Sequence, residues 1–130
     1  QPVPEIQEAA LGQSRAKYVP ADQAAERVQL IKDHWDAILE RVKPQVMSAE
    51  EIADIIRRVG GPYHPAQIGI DMDKMKLTYY QSQTIRSRYT IMDALFELGL
   101  LDQVIETLFA PGGYWAEAPV PSEGHLYPNA

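Results

Sequence analysis

Arg86, Arg88, Tyr89 and His64 are the residues whose types and spacing could hold a ligand in this chain. The two arginines flank Ser87 in the stretch Thr84-Ile85-Arg86-Ser87-Arg88-Tyr89-Thr90. A guanidinium grips a phosphate or a carboxylate through two parallel N–H bonds, so Arg86 and Arg88 are candidate anion-binding residues. Tyr89 adds a ring and a hydroxyl beside them. His64 falls in a loop between Tyr63 and Pro65, where it can line a cleft. All four also have a structural reading. Arginines in the last turn of a helix bond its orphan carbonyls. A tyrosine at a helix corner buries its ring and finds a partner for its hydroxyl.

Other chemistry is thinly supplied. The chain contains no cysteine, hence no disulfide, no thiolate metal ligand and no thiol nucleophile. Neither GxGxxG nor GxxxxGK[ST] occurs, and there is no GxSxG elbow. His34 sits on a helix beside Trp35 and reads as solvated; His125 lies in the tail. Neither these two nor His64 has a second histidine or a carboxylate at helical ligand spacing on a shared face. Asp71 and Asp73 share only their acidity with a calcium loop, and capping explains Asp71 better.

Composition narrows the partners. The 130 residues are 45% hydrophobic and 23% charged, the values of one globular domain. A formal net charge of −6 opposes a nucleic-acid partner, which needs a basic face. A helix-turn-helix placing residues 91–98 in a groove fails on the same balance and on the apolarity of that helix. No apolar run approaches the roughly 18 residues that a membrane span needs. The absence of cysteine is compatible with a cytoplasmic protein, and Gln1 in place of Met reads as a processed end or a fragment.

The elements that must position these residues are helices. A weak helix covers about 5–17 and stops before Val19-Pro20. A long helix runs from about Ala21 to Val42, with Ala24, Val28, Ile31, Trp35, Ile38 and Val42 on one stripe and Pro44 closing it. Ser48 and Glu51 form a capping box for a helix with Ile52, Ile55, Ile56 and Val59 on one face. Arg57 and Arg58 suit its last turn, and Gly60-Gly61-Pro62 ends it. A helical turn can begin at Pro65. Asp71 caps a helix reaching about Arg88, and Thr90 with Asp93 caps the next, which Gly99 stops. A last helix carries Val104, Ile105, Leu108 and Phe109. From Pro111 the chain is rich in proline and glycine and lacks helical periodicity, though Tyr114 and Trp115 can dock it. Residues 1–110 thus form a helical domain and 111–130 a tail. The helices over 91–109 are apolar enough to be either the central core pair or a self-association face.

The order of three segments resembles a known family. They are ERVQLIKDHWDAILERV, then SAEEIADIIRRVGGPYHPAQIGI, then TIRSRYTIMDALFELGLLDQVIETL. Over residues 18–109 the chain looks like the C-terminal helical domain of bacterial-type sn-glycerol-1-phosphate dehydrogenases. These belong to the dehydroquinate synthase-like and iron-containing alcohol dehydrogenase superfamily. IRSRYTIMDALFELGLLD, residues 85–102, carries the strongest likeness. The resemblance implies an all-α multihelical bundle of the dehydroquinate synthase-like C-terminal type. It implies a cytoplasmic parent enzyme that reduces dihydroxyacetone phosphate with NAD(P) and a divalent metal, zinc or nickel. The parent's metal ligands, an Asp and two His, precede the matched part, so neither cofactor is expected on this chain and the chain alone is expected to be inactive. Its helices would wall the cleft, help form the substrate phosphate pocket with Arg86, Arg88, Tyr89 and His64 as candidates, and meet the N-terminal nucleotide-binding domain. The alternative is a free-standing helical module derived from such a domain.

Overall fold

The computed structural model describes residues 3–121. Among them every regular element is a helix, and no strand forms. Eight α-helices follow in order: α1 Pro4–Arg15, α2 Ala21–Asp33, α3 Trp35–Val42, α4 Ala49–Arg58, α5 Met72–Ser82, α6 Ile91–Glu97, α7 Leu101–Phe109 and α8 Tyr114–Glu117. Two 3-10 turns, Lys43–Gln45 and Pro65–Ile68, lie between α3 and α4 and between α4 and α5.

The local signals act where expected. Ser48 accepts from the Glu51 amide and Glu51 answers the Ser48 amide, a complete capping box. Asp71 caps α5 through the Lys74 amide, and Asp93 bonds both the amide and the hydroxyl of Thr90. Gly60 and Gly99 end α4 and α6 in the left-handed region, at φ 74° and 71°, where a side chain would be strained.

Three expectations change. The stripe over 21–42 belongs to two helices, because His34 leaves the helical region at φ −113° and ψ 15°. Its amide still bonds the Leu30 carbonyl and its carbonyl still receives the Ile38 amide. The helical run is therefore broken at this one residue, with a bond on either side of it retained. Helix α5 ends at Ser82 rather than near Arg88. Its last carbonyls are taken by side chains: Ser82 bonds the Tyr79 carbonyl, Gln83 that of Tyr80 and Thr84 that of Gln81. Those bonds compete with continuation of the helix. Finally, the described part of the tail, 111–121, is not structureless: it contains α8. His125 lies outside the described residues.

The core sits where α6 packs on α2, α5 and α7, and α7 packs on α5 and α8. Ala94, Leu101 and Ile105 are its buried apolar side chains, with Ile105 fully enclosed. The 91–109 segment thus holds the central pair. It also shows Ile91, Phe96 and Leu100 to solvent. A buried ion pair fastens the first segment to this core: Lys17 Nζ lies 2.6 Å from Asp93 Oδ1. Helix α4 stands apart. It makes no extended packing with another helix, and its Ile52, Ile55 and Val59 are exposed.

Candidate functional site

The loop after α4 builds the first wall of a cleft. Gln67 Oε1 accepts from the amides of Tyr63 and His64, at 2.9 and 3.0 Å. His64 Nδ1 accepts from the Ala66 amide at 3.2 Å. These bonds close a tight turn on Pro65, and both His64 and Gln67 are buried. A ring nitrogen that accepts a backbone N–H carries no proton, so the neutral imidazole holds its proton on Nε2. Burial holds the His64 pKa below its ordinary value, which favours this neutral form. The Nε2 atom is itself buried and has no hydrogen-bond partner among the described residues. A buried donor left unmet in this way costs about 1–3 kcal/mol.

The second wall is the segment after α7. Trp115 donates its indole N–H to the Tyr79 hydroxyl at 2.8 Å and stacks on Phe109 at 6.4 Å between centroids. Tyr114 stands edge-on to Trp115 at 4.9 Å, and His64 stands edge-on to it at 6.0 Å. Apolar docking of this aromatic cluster explains why four residues so close to prolines and glycines form α8.

Helix α4 supplies the third wall with its polar face. Glu50, Ala53, Asp54 and Arg57 line the cleft, as their spacing of three and four places them on one side. Arg57 bonds Asp54 at 3.1 Å and lies 4.5 Å above the Tyr63 ring. Gly112, Gly113, Glu117, Ala118 and Pro119 complete a space of about 700 Å³, within the range of small-molecule sites.

The structure separates the four residues singled out in the sequence. His64 lines the cleft; Arg86, Arg88 and Tyr89 do not. Arg86 and Arg88 are exposed in the irregular segment between α5 and α6 and form no ion pair among the described residues. They do not cap α5, because Ser82, Gln83 and Thr84 already do. Tyr89 belongs to a different cluster. Its hydroxyl donates to Glu97 at 2.6 Å, Arg27 pairs with the other Glu97 oxygen at 2.9 Å, and the Arg27 guanidinium lies 4.8 Å over the Tyr89 ring. Burial and the Glu97 bond push the Tyr89 pKa up to about 12, against the pull of Arg27. Tyr89 thereby joins α2 to α6 as a neutral donor. Tyr89→Phe should lower stability by about 1 kcal/mol, read from the urea midpoint, and leave the Trp115 indole resonance in place. A shift of that resonance would tie Tyr89 to the cleft instead.

Glu50, Asp54, Arg57, Trp115 and Glu117 were not singled out in the sequence. The spacing of Glu50, Asp54 and Arg57 on one helical face was the available signal. For Trp115 it was an aromatic pair in a proline- and glycine-rich stretch. Among the described residues no three His, Cys, Asp or Glu side chains come together to hold a metal ion. No described helix is long and apolar enough to cross a membrane.

Together the fold and cleft define, over the described residues, an all-helical arrangement with a small core, exposed apolar side chains and an aromatic-walled, acid-rimmed cleft. No family model, curated protein or solved structure matches the chain.

Proposed function

We propose that this chain is the helical half of a two-domain, glycerol-1-phosphate dehydrogenase-like enzyme. Its task is to wall the substrate cleft and to pack against a nucleotide-binding half that supplies NAD(P) and metal sites. The observation that supports this reading is the disposition of α4. An amphipathic helix of a self-sufficient domain turns its apolar stripe inward. Here Glu50, Asp54 and Arg57 line the cleft, while Ile52, Ile55 and Val59 are 46%, 43% and 79% exposed. The imbalance extends beyond α4. Among the described residues the buried apolar side chains are Ala94, Leu101, Ile105 and Pro65, while twenty large ones are exposed, including Leu30, Trp35, Ile38 and Val42 along α2 and α3. Exposed apolar side chains along α2, α3 and α4 are the feature that supports a covering polypeptide. The resemblance of residues 18–109 to the dehydrogenase helical domain is what supports the enzyme's other half as that polypeptide.

In this role Arg86 and Arg88, exposed and without ion-pair partners among the described residues, are the groups available to a substrate phosphate, and neither binds the cofactor. The hydride and metal chemistry belongs to the other half.

The test compares this chain with the product of its reading frame extended upstream. The extended product should oxidise NAD(P)H in the presence of dihydroxyacetone phosphate. The isolated chain should not, and should bind an apolar fluorescent dye that Ile52→Ser/Ile55→Ser reduces by half or more. Turnover by the isolated chain, or an upstream sequence without a nucleotide-binding half and its Asp/His/His set, sinks the reading. The alternative, a free-standing helical binding module, draws on the His64 cleft, which is complete within this chain.

A further inference from the structure

We propose that α4 is a self-association surface: a second copy of this chain lays its own α4 antiparallel across the exposed stripe of Ile52, Ile55 and Val59. The inference uses α4 alone and does not rest on the dehydrogenase reading. It gives α4 to a second copy and leaves the exposed side chains of α2 and α3 to a nucleotide-binding half.

The stripe by itself names no partner; the charges beside it do. Ile52, Ile55, Ile56 and Val59 share one side of α4, and Ile56 is the half-buried member. The cleft residues Glu50, Asp54 and Arg57 occupy the opposite side, so the stripe stays open with the cleft formed. Glu51 and Arg58 are seven residues apart, which puts both on the same edge of the stripe. Glu51 lies in the first turn of α4 and Arg58 ends the helix, and both are exposed. Arg58 forms no ion pair among the described residues. Glu51 accepts the Ser48 amide through Oε2, and Oε1 is left for a further bond. The edge therefore carries a negative charge at one end and a positive charge at the other.

Such an edge complements itself only when reversed. A two-fold axis sets residue i against j and j against i. In an antiparallel pair centred between Asp54 and Ile55, Glu51 of each copy meets Arg58 of the other. Ile52 of each copy then packs against Ile55 and Ile56 of the other. A parallel pair would instead set Glu51 on Glu51 and Arg58 on Arg58, two repulsions. Access is open, because α4 makes no extended packing with another helix of its own chain. Three turns of helix per copy bury less than the roughly 1,200 Å² of a stable interface, so the dissociation constant should fall at about 10–100 μM. Below that concentration the stripe is free to bind a dye.

The experiment is sedimentation of the 130-residue chain over about 5–500 μM, a range that brackets the expected constant. The wild type should pass reversibly from monomer to dimer. Ile52→Ser/Ile55→Ser should stay monomeric throughout. Arg58→Glu and Glu51→Arg each set like charges opposite one another twice, and each alone should dimerise at least tenfold more weakly. Mixed in equal amounts, the two variants should associate within about threefold of the wild type, because each carries the charges the other lacks. Glu51→Arg also breaks the capping box, so the wild type supplies a measurement that needs no variant. NMR on a mixture of carbon-13-labelled and unlabelled copies should show Ile52 methyls of one copy against Ile55 or Ile56 methyls of the other. A wild type that stays monomeric while its stripe binds dye would assign α4 to a different polypeptide and overturn the proposal. A dimer unchanged by Ile52→Ser/Ile55→Ser, or one without those cross-copy contacts, would overturn it equally. Turnover by the upstream-extended product bears on the dehydrogenase reading and leaves this result untouched.

Discussion

Asp93→Ala should be the most destabilising single substitution in the chain, costing about 3–5 kcal/mol. Two losses combine. Asp93 closes the first turn of α6 by accepting from the Thr90 amide at 2.7 Å and the Thr90 hydroxyl at 2.8 Å. Losing a cap costs about 1 kcal/mol. It also neutralises Lys17, whose side chain is 3% accessible and which lies 2.6 Å away. Lys17 donates in addition to the Gln83 carbonyl at the end of α5. Removing the carboxylate strands a buried ammonium, and that penalty dominates. The apolar core around α6 and α7 offers little reserve, since its buried side chains are Ala94, Leu101 and Ile105. Lys17→Met/Asp93→Asn removes both charges while keeping an oxygen for the Thr90 amide, and should recover most of the loss. Urea midpoints for the three proteins decide this, and a cost under about 1 kcal/mol for Asp93→Ala would refute it. Acid should act on the same pair. Burial alone would raise the Asp93 pKa, but Lys17 and the two Thr90 bonds together outweigh it and hold the carboxyl below its ordinary 3.8. The folded state thus binds this proton less readily than the unfolded chain. The stability that Asp93 contributes is present above the ordinary carboxylate value and disappears as pH falls through the folded one. The neutral pair should flatten that acid limb.

The features legible in the sequence were those decided within one turn of chain. Ser48 with Glu51, Asp71, Thr90 with Asp93, and the glycines at 60 and 99 start and stop helices through groups three or four residues apart. What failed was decided at a distance or by close competition. The end of α5 looked open to Arg88, yet Ser82, Gln83 and Thr84 turn back on its carbonyls, and Lys17, 66 residues earlier, takes the Gln83 carbonyl. Helix α8 has no periodicity to read; Phe109, Tyr79 and His64 hold Trp115 from other elements. The site divides in the same way. Arg86, Arg88 and Tyr89 stand out as a local cluster, but the setting of Tyr89 comes from Arg27 and Glu97. The cleft exists only because 50–57, 63–64 and 112–119 meet.

That meeting hinges on one glycine. A methyl group on Gly113 would lie 2.1 Å from the Thr107 carbonyl oxygen and 2.7 Å from that of Leu108. Both are backbone atoms of α7, so neither can swing aside, and contacts under 3.0 Å do not persist. Gly113 has an ordinary φ of −82°, so the demand is for space and not for conformational freedom. In Gly113→Ala the segment must move off α7 by about 1 Å or more, and close packing does not tolerate a gap of that size. Trp115 should then lose its bond to Tyr79 and its stack on Phe109, and His64 should become accessible. The expected cost is about 1–3 kcal/mol, concentrated in α8 rather than in the α6–α7 core. Gly112→Ala is the control. Its φ of 82° makes alanine strained, but no atom lies within 4 Å of the added carbon. It should cost about 1 kcal/mol with the cleft retained. Amide hydrogen exchange should accelerate over residues 110–118 in Gly113→Ala alone, with a displaced Trp115 indole resonance. An unmoved indole resonance in Gly113→Ala would mean that α8 does not depend on this close approach.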